Sequence, residues 1–239
     1  MEWIPTKLCP PLEVNELHLW RVCLSDLATK VSQLRLLLSE EERARGDRYI
    51  RSADGVRFMV GRAVLRLILA QYLGLKPGEI VITMAEFGKP YVSKSTNTND
   101  LTFNLSHSGE LCLLAVSRGR EIGVDVERLR DDVAVEDLAT RYFSKEEIAE
   151  LQALPNALRR LGFFLCWTRK EAYVKAKTLG LRIPLDQFSV SLTPGQPAEI
   201  QGSEAGRWTI MSVEPGPGYV AAVVSEGSII SVKYCDYMS

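Results

Sequence analysis

Hydrophobic and polar positions change their period several times along the chain. Residues 16–24, ELHLWRVCL, alternate with the period of two expected of a β-strand. Ser39, followed three residues on by Glu42, matches the S-x-x-E capping box and predicts a helix start. Over 54–73 the period becomes helical, with Phe58, Val64, Leu65, Ile68, Leu69 and Tyr72 on one stripe. Gly74 and Pro77 are the expected stop. Strands are predicted over 79–84 and 101–105, separated by the polar loop SKSTNTND from Ser93 to Asp100. Two more are predicted over 111–117 and 121–127.

The second half repeats this order. Ser144 and Glu147 form another capping box, 105 residues after the first. A long helix is predicted from Phe163 to Thr178, closed by Gly180 and Pro184, and strands over 187–192, 207–213 and 219–225. AVSRG, from Ala115 to Gly119, has its counterpart in VVSEG, from Val223 to Gly227. Helix start, long helix and strand recur in one order at nearly constant spacing, which favours an internal duplication. The expected fold is α+β: two similar α/β halves, residues 1–118 and 119–239, packed face to face. The cleft between such halves is a natural ligand site.

Composition narrows the class. Of 239 residues, 46% are hydrophobic and 25% charged, ordinary for a globular chain. The formal net charge of −1 argues against a polyanion binder, so no nucleic-acid partner is expected. Arg43, Arg45, Arg48, Arg51, Arg57, Arg62 and Arg66 nevertheless crowd one stretch, either an anion-facing surface or a solvated face balanced by Glu40, Glu41 and Glu42. The five cysteines make no CxxC pair and read as reduced core thiols of a cytoplasmic protein. No apolar run has transmembrane length and no signal peptide is visible, so no membrane association is expected.

Four segments carry candidate chemistry. In GVDVE, from Gly123 to Glu127, strand alternation sends Ile122, Val124 and Val126 to the core and puts Asp125 and Glu127 together on the other face. Adjacent carboxylates repel unless a cation joins them. Magnesium, which takes one or two carboxylates plus substrate phosphates, would serve; two ordinary exposed acids would look the same in sequence. In WTRKEAYVKAKTLGL, from Trp167 to Leu181, Glu171 and Lys175 share a helix face, as a metal-and-phosphate pair or as a surface ion pair. Trp167 is core or substrate contact. In FNLSHSG, from Phe103 to Gly109, Ser106 and His107 lead into a turn, able to bind an anion or simply to satisfy local backbone. With two histidines in the chain, a histidine-rich metal cluster is excluded. In FGKPY, from Phe87 to Tyr91, Gly88 and Pro90 shape a turn presenting Lys89, to a phosphate or to solvent.

Taken in order, FGKPY, FNLSHSG, GVDVE, FSKEE and WTRKEAYVKAKTLGL resemble the Sfp-type 4'-phosphopantetheinyl transferases. That family pairs G-x-D-x-E with W-x-x-K-E-A-x-x-K some forty residues on; here Glu127 and Trp167 are 40 apart. The resemblance implies a pseudo-dimer with its active site between the halves. It implies Asp125, Glu127 and Glu171 as magnesium carboxylates and Lys175 at the pyrophosphate of the substrate, coenzyme A. It also implies Lys89, Ser106 and His107 as phosphate contacts, with Arg45 and Arg57 near the nucleotide phosphates. Glu42 stands where some relatives have a lysine, and Arg43 is the nearest substitute. Glu147 matches an acid that some members keep near the metal or the base, although its capping box explains it equally well.

The implied reaction moves phosphopantetheine from coenzyme A to a serine of an apo acyl or peptidyl carrier protein. Glu171, directly or through a metal-bound water, is the first choice of base and Glu147 the second. Other magnesium phosphotransferases would bring a glycine-rich phosphate loop, and neither GxxxxGK[ST] nor GxGxxG occurs. A binding module without activity would have lost a metal carboxylate, and all three are present. A chain already duplicated needs no second copy to complete its cleft, so a monomer is expected.

Overall fold

The computed structural model describes residues 1–178, 183–202, 204–229 and 231–238. The first half runs β1 (Ile4–Thr6), β2 (Glu16–Cys23), α1 (Leu24–Ala28), α2 (Val31–Leu34), α3 (Glu40–Asp47) and the long α4 (Ser52–Leu73). A hairpin of β3 (Ile82–Met84) and β4 (Pro90–Val92) follows, then β5 (Leu101–Ser108) and β6 (Leu111–Arg118). The second half opens with β7 (Ile122–Arg128), α5 (Val135–Tyr142), α6 (Lys145–Ala153) and the long α7 (Asn156–Ala176). It continues through β8 (Ser189–Val190), β9 (Ile200–Gln201), β10 (Trp208–Val213), β11 (Tyr219–Glu226) and β12 (Ser231–Tyr237).

Local signals explain where several elements begin and end. Gly74 ends α4 in the left-handed conformation, φ 66°, which a residue without Cβ adopts at no steric cost. Pro77 then opens a 3₁₀ turn, so the strand predicted over 79–84 is cut to Ile82–Met84. The strand predicted over 101–105 instead runs on to Ser108, which puts Ser106 and His107 on a strand rather than in a turn. The second long helix starts at Asn156 rather than Phe163, and the strand over 187–192 shrinks to Ser189–Val190. The stop expected at Gly180, with residues 179–181 of the tryptophan motif, lies outside the described residues.

Two main sheets form, in the orders β1-β12-β2-β6-β5 and β10-β11-β7. Their stacking makes a helix–sheet–sheet–helix sandwich. Trp20, Val22, Leu114 and Val116 pack against Val64, Leu65, Ile68 and Leu69 of α4. Leu17, Leu19, Leu113 and Ala115 face Ile122, Val124, Val126 and Val223 across the middle. Phe163, Phe164, Ala172 and Tyr173 of α7 cover Ala222 and Val224. Because β2 is sandwiched on both faces, even His18 is buried. Its Nδ1 lies 2.6 Å from the Tyr72 hydroxyl and its Nε2 3.0 Å from Glu16 Oε2. The Tyr72 oxygen accepts from Trp20 Nε1 at 3.0 Å, so its own proton serves Nδ1 and His18 carries its proton on Nε2.

The halves share a device that the spacing of 105 only hinted at. Ser39 and Glu42 cap α3 reciprocally, and Ser144 and Glu147 cap α6 in the same way. Each capping glutamate then reaches the long helix behind it. Glu42 Oε2 accepts from Arg66 Nε at 2.7 Å, and Glu147 Oε2 lies 2.8 Å from Lys170 Nζ. The last strand breaks the symmetry. β12 enters the first sheet parallel to both β1 and β2, so a boundary at 118/119 leaves residues 231–237 in the sheet of the other half. Among the described residues, no helix is long and apolar enough to cross a membrane.

Candidate active site

Strand alternation delivers the acids as predicted. Ile122, Val124 and Val126 are buried between the sheets, which turns Gly123, Asp125 and Glu127 toward α7. Gly123 is what lets that helix come close. A Cβ there would lie 2.0 Å from the Ala172 carbonyl oxygen and 2.5 Å from the Ala176 nitrogen. With the glycine, α7 sits directly on β7, and Lys175 reaches the strand.

Asp125 is the meeting point. Its Oδ1 accepts from Lys175 Nζ at 2.6 Å and from Ser106 Oγ at 2.8 Å. The same ammonium donates to Ser106 Oγ and the Val124 carbonyl. Asp125 Oδ2 is buried and has no hydrogen-bond partner, a costly state for a carboxylate oxygen. Glu127 Oε2 accepts from Ser108 Oγ at 2.7 Å. Burial raises the Glu127 pKa above the usual carboxylate value; the Ser108 bond opposes this and the Asp125 charge adds to it. Glu171 is raised too, by burial first, then by Asp125 against the pull of Lys175, then by Glu127.

Three acids thus feel one another's charge, and one oxygen lacks a partner. A divalent cation relieves both conditions, so the chemistry of this donor set fits a hard metal. The three are not drawn into a closed cage: among the described residues no group of three His, Cys, Asp or Glu side chains stands ready-made as a metal site. Lys175 supplies the positive charge at Asp125 in this arrangement.

Two adjoining cavities open beside these residues. The smaller, about 270 Å³, is lined by Phe87, Lys89, Asn104, Glu171 and Lys175. The larger, about 590 Å³, is lined by Arg45, Arg57, Arg62, Arg66 and His107, and shares Gly88, Pro90 and Leu105 with the first. Lys89 is not a solvated turn lysine: Nζ donates to Glu121 Oε2 at 2.7 Å and to the Ile122 carbonyl at 2.9 Å. Burial holds its pKa below the usual lysine value, with Glu121 opposing. His107 keeps an exposed edge; partial enclosure, then Lys175 and Arg57, push its pKa down. Arg57 bonds Asp54 and Glu110, and Arg45 lies 5.0 Å above the Phe58 ring. A separate cavity of about 540 Å³, lined by residues such as Arg21, Cys23 and Tyr219, holds none of the candidate residues.

Glu147 does not join the cleft. It is 1% exposed, and its oxygens serve the Ser144 and Val190 amides and Lys170. The structure gives it the capping-box role and pairs its buried carboxylate with Lys170, away from both cavities. Trp167 is likewise packing, stacked 5.9 Å from Phe163 and edge-on to Tyr142. Glu42 pairs with Arg62 and Arg66 of α4, so α3 supplies the larger cavity with one cation, Arg45, and α4 with three, Arg57, Arg62 and Arg66. Asn104 and Ser108, absent from the predicted site, both touch β7: Asn104 Oδ1 accepts from the Val124 amide at 2.8 Å. Their signal was the alternation of Asn104, Ser106 and Ser108, hidden by ending the strand at 105.

A family profile described as the 4'-phosphopantetheinyl transferase superfamily matches residues 121–224, and one described as 4'-phosphopantetheinyl transferase, N-terminal, matches 19–119. The 4'-phosphopantetheinyl transferase HetI of a Nostoc species is 37% identical over 98% of this chain and 98% of its own length. The 4'-phosphopantetheinyl transferase Sfp of Bacillus subtilis is 32% identical, over 78% of this chain and 81% of its own. Among solved structures, the holo-[acyl-carrier-protein] synthase of Thermotoga maritima overlaps 45% of this chain and 63% of its own, at 19% identity and a TM-score of 0.36.

Proposed function

This chain belongs to the 4'-phosphopantetheinyl transferase superfamily, in its Sfp-type branch, and on that premise we propose a specific reaction for it. It transfers the 4'-phosphopantetheine group of coenzyme A to a serine hydroxyl of an apo acyl or peptidyl carrier protein and releases adenosine 3',5'-bisphosphate. The observation that carries this reading is the convergence on Asp125. Ser106 from one half and Lys175 from the other bond its Oδ1, while its buried Oδ2 has no partner.

Asp125, Glu127 and Glu171 would hold a magnesium ion, which when bound would offset the negative charge of the diphosphate and of the leaving group. Lys175 and Lys89, both on the smaller cavity, neutralise diphosphate oxygens through charge-assisted hydrogen bonds. Arg45, Arg57 and His107, around the larger cavity, hold the nucleotide's phosphates, and Ser106 orients Asp125 and Lys175 beside them. The serine oxygen forms a bond to the phosphorus nearer pantetheine as the bond from that phosphorus to the adenosine-side oxygen breaks. Its proton passes to Glu171, the acid that lines the smaller cavity beside Lys175. One chain contributes every group named here, which supports a monomer as the active unit.

Intact-mass analysis of a panel of apo carriers, incubated with coenzyme A and magnesium, tests the reaction. The expected result is a mass gain of one phosphopantetheine group on the carrier serine, abolished by chelation of divalent ions. No gain on any acyl or peptidyl carrier would overturn the reading.

A further inference from the structure

Strands β5 and β7 lie side by side but belong to different sheets. Side chains join them, from alternate positions of β5. Asn104 Oδ1 accepts from the Val124 amide at 2.8 Å, and Ser106 Oγ donates to Asp125 at 2.8 Å. Ser108 Oγ donates to Glu127 at 2.7 Å and accepts from the Arg128 amide at 3.1 Å. The contacts advance together along both strands, so the strands run in one direction with a fixed offset. A slip of one residue would bring Leu105 and His107 to the seam, and neither offers the same acceptor geometry.

We propose that Asn104 is a positioning residue for the transfer reaction: with Ser108, it sets the register of the carboxylate strand against the half that holds the nucleotide. This rests on the reaction and the metal carboxylates proposed above. Asn104 is buried, and so is the amide it satisfies on the outer edge of β7. A buried edge amide takes whatever acceptor is built for it, and Asn104 is that acceptor. Arg57 and His107 belong to the first half, while Asp125 and Glu127 ride on β7. The seam therefore sets the distance between the bound phosphates and the carboxylates. A displacement of about 1 Å in such an arrangement costs about 100-fold in rate.

The test uses the full chain with Asn104→Ala, Ser108→Ala and the double variant. Three quantities are read: kcat and KM for coenzyme A in transfer to an apo acyl carrier protein, and Mn²⁺ binding by electron paramagnetic resonance with coenzyme A present. Thermal melting selects temperatures at which each variant is folded. Asn104→Ala is expected to lower kcat by about 30- to 100-fold, to leave KM for coenzyme A within about threefold, and to weaken Mn²⁺ binding about tenfold. The double variant should lose less than the product of the single losses, since both remove one register. A merely structural role would scale kcat with the folded fraction and leave Mn²⁺ affinity per folded site unchanged; that result, or wild-type kcat in Asn104→Ala, overturns the proposal. If Asn104→Ala does not fold, Ser108→Ala decides by the same Mn²⁺ criterion. If the unmodified enzyme transfers nothing, the functional reading fails while the Mn²⁺ comparison still tests the seam; absence of Mn²⁺ binding by the unmodified enzyme overturns both.

Discussion

Lys175 Nζ lies 2.6 Å from Asp125 Oδ1, one on the long helix of the second half and the other on the strand beneath it. The contact exists because Gly123, two residues before Asp125, has no side chain to hold the helix off. Gly123→Ala would drive a methyl into backbone atoms of Ala172 and Ala176, which cannot turn aside as a side chain can. The expected cost is about 1–3 kcal/mol of stability, read by urea unfolding, together with about 100-fold in transfer rate as α7 shifts.

Asp125→Ala removes the shared acceptor of Lys175 and Ser106 and one of the three clustered acids. Transfer is expected to fall at least about 100-fold. The fold should persist, because Lys175 is 28% exposed and water can solvate the ammonium left behind. Circular dichroism and intact-mass time courses check the two halves of the statement. Undiminished transfer with unchanged magnesium dependence would remove Asp125 from the metal site.

Lys170→Met leaves the Glu147 carboxylate buried without its cation; the pair is 0% and 1% exposed. Stripping one partner from such a pair costs about 3–5 kcal/mol, measurable as a lower urea midpoint. Lys170→Met combined with Glu147→Gln should recover part of this, because no lone charge remains.

Stability should fall in acid through Glu16. Burial alone would raise its pKa, but the Glu13 amide, Lys233 and His18 outweigh burial and hold it at about 2, against 4.5 ordinarily. A lowered folded-state pKa stabilises above the unfolded value and loses that contribution as pH falls through the folded one. The loss should therefore begin near pH 4.5 and reach about 2 kcal/mol by pH 3. His18, pushed below 6.5 by burial, acts with the same sign from about pH 6.5 downward. Urea midpoints across pH 7 to 3, compared with Glu16→Gln, isolate the glutamate's share.

The loop after α3 exposes Ile50 fully, between Arg48 and Arg51. Its basic, apolar surface suits a partner that presents acidic side chains. Arg48→Glu with Arg51→Glu should raise KM for the carrier about tenfold while KM for coenzyme A moves less than about threefold. Equal effects on both would count against a separate docking surface.

Much of the site was legible because its signals are local. A period of two in GVDVE is enough to put Asp125 and Glu127 on one face, and spacing of four puts Glu171 and Lys175 on another. The two capping boxes at Ser39 and Ser144 formed as read, and their interval announced the two-part architecture. Reading FNLSHSG as strand then turn cost the seam, since Asn104, Ser106 and Ser108 align only if the strand reaches Ser108. The strand Ser231–Tyr237 went unread as well, for its partner Glu16–Cys23 lies more than two hundred residues away and nothing nearby marks it.

The sequence by itself determined the two long helices, the carboxylate face of β7 and the two capping boxes, because each depends on residues a few positions apart, and it marked the family through motifs in a fixed order. Only the tertiary structure decided that Glu147 serves Lys170, that Lys89 turns inward to Glu121, and that Asn104 stitches one half to the other. Those outcomes depend on which polar atoms burial leaves without water, and that is settled by the packing of distant segments rather than by any local pattern.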